Sequence, residues 1–122
     1  MEIKTKSNIS ELIPIYNNQK SFYKKAYVNM VDYMQYNSKG LCDYITTLKI
    51  QLYSYNTLVC EIYHDIEKNK YFYALNEYSF YSNTTAKHVK EFLKQYLYYN
   101  EVKKILIEKN YTRKAIQKYN MV

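Results

Sequence analysis

The stretch Leu-Lys-Ile-Gln-Leu-Tyr-Ser-Tyr-Asn-Thr-Leu-Val-Cys-Glu-Ile, residues 48–62, decides the fold. Apolar and polar residues alternate over its first five positions, and apolar residues return at 58, 60 and 62 after the turn-forming run at 54–57. A period of two is the pattern of a strand with one buried face. Two such runs around a short polar turn predict a β-hairpin.

A third strand is expected downstream of this hairpin. The polar segment 65–70 is followed by the aromatic-rich run from Tyr71 to Leu75, which predicts an antiparallel return beside the second strand and therefore a meander. We expect Tyr53, Tyr63 and Tyr73 on the outer face of the sheet. Core filling is the expected role of Tyr71, and also of Tyr96 further along the chain.

The pattern of the first 36 residues fits more than one secondary structure. Residues 8–11 run from Asn8 to Glu11 with the spacing of a capping box, which predicts a short helix that Pro14 confines to its first turns. Between residues 21 and 36, apolar residues at 22, 26, 30 and 33 fit a helical stripe, whereas those at 22, 26, 28, 30 and 34 fit one strand face interrupted by Lys24 and Asp32. The β-branched and aromatic content favours the strand.

The clearest helix begins near Ser82-Asn83-Thr84-Thr85, four residues that favour the N-cap position. Apolar residues at 89, 92, 93, 96 and 97 follow at spacings of three and four, which predicts one buried stripe. The outward side chains are then expected to be Lys87, Lys90, Glu91 and Lys94.

A second helix is expected from about Asn100, with Val102, Ile105 and Leu106 directed inward. Residues 110–112 interrupt the pattern before it continues over 114–119. The predicted fold is α+β, a small antiparallel β-meander of three or four strands with one or two C-terminal helices packed on one face. We expect a single domain over 1–122, with an N-terminal segment at 1–20, the meander at 21–82 and a basic helical part at 84–119.

The charge of the chain is uneven. Residues 85–122 hold nine basic and three acidic residues, which gives +6 of the net charge of +7. Such an asymmetry is typical of proteins that bind nucleic acid or an acidic protein surface, and a solvated helical face in a lysine-biased proteome is the alternative. The 18 tyrosines add stacking surfaces for bases or protein. The residues predicted to bind a partner are Lys87, Lys90, Lys94, Tyr98, Tyr99, Lys103, Lys104 and Arg113.

Few residues point to chemistry or to a cofactor. Cys42, Cys60, His64 and His88 show no closely spaced pair of metal ligands beyond the 60–64 spacing, so neither a metal nor another cofactor is expected. A pairing of Cys60 with His88 stays open, but no nucleophile elbow or phosphate-binding glycine loop accompanies it. We therefore expect no enzyme activity.

The N-terminal ten residues lack the apolar core of a signal peptide, and no apolar run approaches the roughly 18 residues that span a bilayer. A cytoplasmic protein with reduced thiols and no membrane partner is expected.

Three stretches together resemble a domain of unknown function found in short proteins of phages, plasmids and low-GC bacteria. They are SFYKKA (21–26), LYSYNTLV (52–59), and Tyr78-Ser79 leading into TTAKHVKEFLKQ (84–95), against SFYGKA-like, SYDT-like and TTxxHxxEFL patterns. The resemblance spans about residues 20–96 and implies a small sheet with a packed helix, a mobile-element origin and no catalytic residues. It makes Thr85 the helix cap and places His88 in the first turn in a structural role. Lys25 lies near a position where a glycine or small residue is expected.

The residue usage, rich in Lys, Asn, Ile and Tyr, indicates an AT-rich genome such as that of a low-GC bacterium or its phage. The chain is similar to anti-CRISPR proteins in size and simplicity. The first hypothesis is a non-enzymatic phage accessory protein that inhibits a host defence protein or ribonucleoprotein, such as a CRISPR effector, by covering a nucleic-acid-binding surface, in the bacterial host cytoplasm. The alternative is a nucleic-acid-binding accessory or regulatory protein that places its basic C-terminal helix on RNA or DNA. Assembly through exposed tyrosines, including a homodimer, stays open.

Overall fold

The computed structural model describes residues 2–65, 68, 70–108 and 114–116. Its elements, in chain order, are β1 (Glu2–Glu11), β2 (Ala26–Tyr36), β3 (Cys42–Ser54), β4 (Thr57–Asp65), β5 (Lys70–Leu75), α1 (Asn83–Tyr96), α2 (Tyr99–Glu108) and β6 (Lys114–Ile116).

The strands form one antiparallel sheet whose spatial order is the chain order, from β1 to β6. Five longer strands, β1 to β5, make up the sheet, and the three-residue β6 extends it. The α+β prediction is confirmed, but the predicted count of three or four strands is wrong.

The central hairpin is confirmed. Leu52 faces Cys60 across β3 and β4, and a two-residue turn of Tyr55 and Asn56 joins the strands. Both turn residues have positive φ, 51° and 65°, as the tight turn that matches strand twist requires. The preference for a strand after residue 21 is also confirmed from Ala26 onward.

The N-terminal helix predicted at Asn8 to Glu11 is wrong, because these residues belong to β1. This strand pairs along its whole length with β2, from Glu2 opposite Tyr36 to Glu11 opposite Tyr27. Residues 4–10 are all exposed, so β1 is held by its backbone hydrogen bonds and buries no apolar face. A strand of this kind carries no alternation that a sequence could reveal.

Helices α1 and α2 contribute to the core on one face of the sheet, called here the helix-covered face. Its rows include Val28, Leu52, Cys60 and Leu75, which lie side by side on β2 to β5 and are buried. Packed with them are the buried helix residues Val89, Phe92, Leu93, Val102 and Ile105.

Tyr73 lies opposite Ile62 on this face and is 3% exposed, so its predicted place on the outer face is wrong. Tyr71 is two residues away and therefore shares the face. It packs against the core as predicted. Burial, together with the nearby carboxylates of Glu108 and Glu101, raises the pKa of Tyr73.

The helix at residue 83 is confirmed, with a different cap from the one that the resemblance implies. Ser82 is the N-cap, and its Oγ accepts a hydrogen bond of 3.1 Å from the N–H of Thr85. His88 consequently lies in the second turn of α1. Glu91 was expected to face outward and is instead 3% exposed, because the N-terminal segment lies against it.

The second helix is confirmed, with Val102 and Ile105 buried and Leu106 packed against the core. The expected helical continuation at 114–119 is wrong over Lys114–Ile116, which form β6 beside β5. A strand of three residues is too short for its period to be recognised. Residues 117–119 and the predicted interruption at 110–112 lie outside the described residues. Within the described part of the chain, no helix is long and apolar enough to cross a membrane.

Candidate functional site

Three short stretches that are far apart in sequence meet where β3 turns into β4. They are the 21–26 turn, the 54–57 turn and the first two turns of α1. The ring of Phe22 packs edge-to-face on the ring of His88 at a centroid distance of 4.7 Å, and the N–H of Tyr55 donates to the carbonyl of Lys25 at 2.9 Å. The segments resembling the phage and plasmid domain therefore converge on one end of the sheet.

His88 lies at the centre of this convergence and is 1% exposed. Its Nδ1 lies 2.8 Å from the Oγ of Ser54, and that Oγ lies 3.1 Å from the Oγ1 of Thr85. Burial lowers the pKa of His88. A neutral imidazole is favoured in this buried position, and its Nδ1 can accept a hydrogen bond from the hydroxyl of Ser54. The chain of hydroxyl groups continues from Thr85 to Ser82, whose Oγ lies 3.2 Å from Thr85 Oγ1.

Two turns with left-handed backbone flank His88. Tyr23 and Lys24 have φ of 53° and 59°, and Tyr55 and Asn56 have φ of 51° and 65°. None of the four is a glycine, although this region costs an ordinary residue about 1–2 kcal/mol. The resemblance places a glycine or small residue near Lys25, and the neighbouring Lys24 has the positive φ that favours a glycine. Strained backbone of this kind concentrates at functional sites.

Three adjoining cavities open beside these turns. The tyrosine cleft, of about 630 Å³, is lined by Ser54, Tyr55, Tyr78, Tyr81, Thr84 and Thr85 among others. The His88 pocket, of about 220 Å³, is lined by Gln19, Phe22, Tyr23, Lys25, Tyr55, Thr84, Lys87 and His88. The lysine groove, of about 290 Å³, is lined by Tyr16, Asn17, Asn18, Lys87, Lys90, Glu91 and Lys94.

The three cavities form one continuous surface. Tyr55 and Thr84 line both the tyrosine cleft and the His88 pocket, and Lys87 lines both the His88 pocket and the lysine groove. Ten residues of α1 separate Thr84 from Lys94, which is about 15 Å of helix. The surface thus follows the solvent side of α1 from its N-terminus toward its last turn.

The lysine groove owes its second wall to the segment between β1 and β2. The carboxylate of Glu91 accepts the N–H of Tyr16 at 3.0 Å, and Gln95 Nε2 donates both to that carboxylate and to the carbonyl of Ile13, each at 2.8 Å. These bonds hold the segment along α1. The Glu91 carboxylate thus accepts hydrogen bonds from the protein itself. Of the lysines in the groove, Lys87 and Lys90 are exposed and Lys94 is half-buried.

The predicted binding residues divide between two places. Lys87, Lys90 and Lys94 line the lysine groove together. Tyr98 and Tyr99 are exposed beyond the end of α1, where the Lys103 Nζ lies 6.0 Å from the centre of the Tyr99 ring. Lys104 is exposed on α2. Arg113 lies outside the described residues.

The described residues offer no cluster of three or more His, Cys, Asp or Glu side chains that could hold a metal ion. Cys60 is 1% exposed, and burial, with the nearby charge of Glu61, raises its thiol pKa. Such a thiol is inert. His88 contacts Ser54, and that serine is 2% exposed, so their hydroxyl–imidazole pair is part of a buried network, not an open nucleophile.

Sequence reasoning missed several residues of this surface. Tyr16, Asn17 and Asn18 reach the groove only because Glu91 and Gln95 bind their segment. Tyr55, Tyr78 and Tyr81 were not among the predicted binding residues, because composition does not distinguish them from the rest of the 18 tyrosines. The cue that was available was the resemblance itself, because its three stretches include Phe22, the 54–57 turn and His88.

Comparison with known proteins gives one family match. The model of a "Family of unknown function (DUF8033)" matches residues 10–112. No curated protein matches, and no solved structure matches.

Proposed function

The chain belongs to the DUF8033 family of unknown function, and we propose that it is a non-enzymatic protein that binds single-stranded nucleic acid along α1. One observation carries the proposal, the continuity of the lysine groove with the tyrosine cleft through Lys87, Tyr55 and Thr84. Lysine side chains line one end of this surface and tyrosine rings line the other, and about 15 Å of α1 runs between Thr84 and Lys94.

The lysines supply the electrostatic part of this function. Lys87, Lys90 and Lys94 lie at spacings of three and four on α1, so their ammonium groups project from one side of the helix. Phosphates that contact them release condensed counterions, which gives affinity without reading sequence. The protein donors around the Glu91 carboxylate leave less of its charge to oppose a phosphate.

The aromatic rings favour a single strand over a duplex. Tyr16 and Tyr23, which line the groove and the His88 pocket, are 60% and 76% exposed. Unpaired bases stack on such rings, whereas the bases of a duplex are already stacked on each other. Our proposal therefore uses α1 as the nucleic-acid surface, whereas the sequence-based alternative used the C-terminal basic helix.

The test is fluorescence anisotropy with labelled single-stranded RNA and DNA of mixed sequence. We expect the K90E/K94E double variant to bind at least roughly tenfold more weakly than the wild type at low salt. The matched control is Lys39→Glu in the loop between β2 and β3, because the 13 residues of β3 place that loop about 40 Å from the 55–56 turn. Equal binding by the wild type and the double variant would overturn the proposal.

A second candidate concerns the biological setting, inhibition of a host defence machine by a phage-borne protein. The basic groove favours one form of it: contact with the RNA of a ribonucleoprotein, such as a CRISPR effector, because a basic nucleic-acid channel would repel these lysines. Affinity capture from the host lysate, with and without nuclease, tests it. Capture of one stoichiometric ribonucleoprotein that depends on Lys90 and Lys94 and is released by nuclease would support inhibition, and capture of heterogeneous nucleic acid without a stoichiometric protein would support the nucleic-acid function alone.

A further inference from the structure

The tyrosine cleft has the dimensions and lining of a small-ligand site. Its volume of about 630 Å³ falls within the roughly 300–1,000 Å³ of typical ligand pockets. Three rings line it, those of Tyr55, Tyr78 and Tyr81, which are 51%, 47% and 82% exposed. Flat aromatic walls with hydroxyl groups among them suit a planar heterocycle with polar edges.

The loop that carries two of these rings is held in place. Asn76 Nδ2 donates to the carbonyl of Leu58 at 2.7 Å, and the hydroxyl of Ser79, a residue with no exposed surface, donates to the carbonyl of Val59. The N–H of Tyr78 is bound by Asn76 Oδ1 at 2.9 Å. The backbone of Tyr78 and Tyr81 is therefore fixed before any ligand arrives, which lowers the entropic cost of binding.

The third ring is presented by strained backbone. Tyr55 has φ of 51° in the first position of the two-residue turn, where asparagine, aspartate or glycine is preferred. Its ring lines both the tyrosine cleft and the His88 pocket, and Lys25 Nζ lies 5.6 Å from the ring centre. An aromatic residue kept at a position that costs stability is explained if its ring contacts a ligand.

The polar groups of the cleft suit the edge of a base. Thr84 is exposed at the start of α1, and the N–H groups of the first turn give this end of the helix partial positive charge. The hydroxyls of Ser54 and Thr85 lie deeper and are bonded to each other and to His88. The hydroxyl of Thr84, which lines the cleft, can donate to an acceptor of a base, while the bonded hydroxyls of Ser54 and Thr85 form the floor.

We infer that the tyrosine cleft holds one unstacked nucleobase of a single strand whose phosphates contact Lys87, Lys90 and Lys94. The inference rests on the proposed function and adds a base-binding site to it. An unstacked strand spaces its phosphates more widely than the ~3.4 Å per nucleotide of a strand in a duplex, so the 15 Å of α1 between Thr84 and Lys94 spans fewer than about four phosphates. A strand laid on the lysine groove therefore reaches the cleft within a few nucleotides.

Two oligomers of equal length test it, one with all its bases and one with an abasic phosphodiester chain. Tyr81→Ala is expected to weaken binding of the base-containing oligomer about 5- to 100-fold, since one stacked base is worth ~1–3 kcal/mol. The same variant should bind the abasic chain as the wild type does. The control is Tyr44→Ala, at a tyrosine that is 45% exposed near the far end of β3, and it should change neither affinity.

A second readout places the base. An oligomer carrying 2-aminopurine should change its fluorescence on binding to the wild type and lose most of that change with Tyr81→Ala and with Tyr78→Ala. If Tyr81→Ala and Tyr78→Ala bind both oligomers like the wild type while K90E/K94E loses binding, the base site is overturned and the proposed function stands. If the wild type binds neither oligomer, both are overturned.

Discussion

The Nδ1 of His88 lies 2.8 Å from the Oγ of Ser54, and 34 positions of chain separate the two residues. The contact joins α1 to the end of β3 inside the core, where His88 is 1% exposed. It ties the helix that carries the lysine groove to the turn that carries Tyr55.

Stability is expected to depend on pH through His88. Burial lowers the pKa of His88 in the folded state. As the pH falls, the unfolded chain therefore binds a proton at this residue before the folded protein does. The contribution of His88 to stability is fully present above the ordinary histidine pKa of about 6.5. Below that pH the free energy of unfolding should fall, by no more than about 1.4 kcal/mol per pH unit from this group. Urea unfolding of the wild type and of His88→Gln from pH 5 to 8 checks this. Parallel pH profiles for the two proteins would contradict it.

Lys24→Gly is expected to stabilise the protein by about 1 kcal/mol. Its φ of 59° costs a lysine free energy that a glycine does not lose. Lys25→Gly is the control, because it removes the same charge from the neighbouring residue, which is not among those with positive φ. The control should lower stability, since there glycine adds freedom to the unfolded chain and removes the contact of Lys25 Nζ with the Tyr55 ring. Thermal unfolding midpoints measure both, and a fall for Lys24→Gly would refute the account of the turn.

Glu91→Ala is expected to cost about 1–3 kcal/mol of stability, because the N–H of Tyr16 and the side-chain amide of Gln95 lose their acceptor in a part-buried contact. The segment 13–18 should then exchange its amide hydrogens faster, while the amides of β3 keep their relative protection. Glu91→Gln retains an acceptor oxygen and should lose less. Hydrogen exchange followed by NMR distinguishes the two variants, and unchanged exchange at Tyr16 in Glu91→Ala would show that the carboxylate does not hold this wall.

The salt dependence of strand binding is expected to report the lysine contacts directly. On single strands each phosphate contact contributes about 0.7 to the slope of log affinity against log salt. K90E/K94E should therefore reduce the slope by about 1.4 or more, and Lys39→Glu should leave it unchanged. Affinity lost without a change of slope would mean that these lysines act through the fold and not through phosphates.

Much of the fold could be predicted because local sequence patterns determine several of its strands and helices. The 48–62 alternation gave the hairpin, and the polar run at Ser82 followed by apolar spacing gave α1. The errors fall where local pattern and tertiary contact disagree. Residues 4–10 of β1 are exposed and include one apolar residue, Ile9, so they show no alternation of apolar and polar residues. Glu91 lies on the buried side of α1 because a distant backbone N–H binds it, and no helical period encodes that bond.

The candidate site was only partly predictable. Lys87, Lys90 and Lys94 share a helix face by spacing alone and were predicted together. The tyrosine cleft depends on the meeting of the 54–57 turn, the 76–82 loop and the start of α1, and composition does not distinguish its rings from the other tyrosines. The meeting follows from sheet register and helix packing, which are non-local properties.

The chain-ordered sheet also has a kinetic consequence. Every strand from β1 to β6 pairs with the strand that precedes or follows it along the sequence. From β1 to β5 each pairing closes a short loop, whereas the pairing of β5 with β6 spans both helices, and the entropy lost in closing a loop grows only slowly with its length. A chain with such pairings is expected to fold by adding one hairpin after another, and faster than a Greek-key sandwich of the same size, whose contacts join more distant parts of the chain.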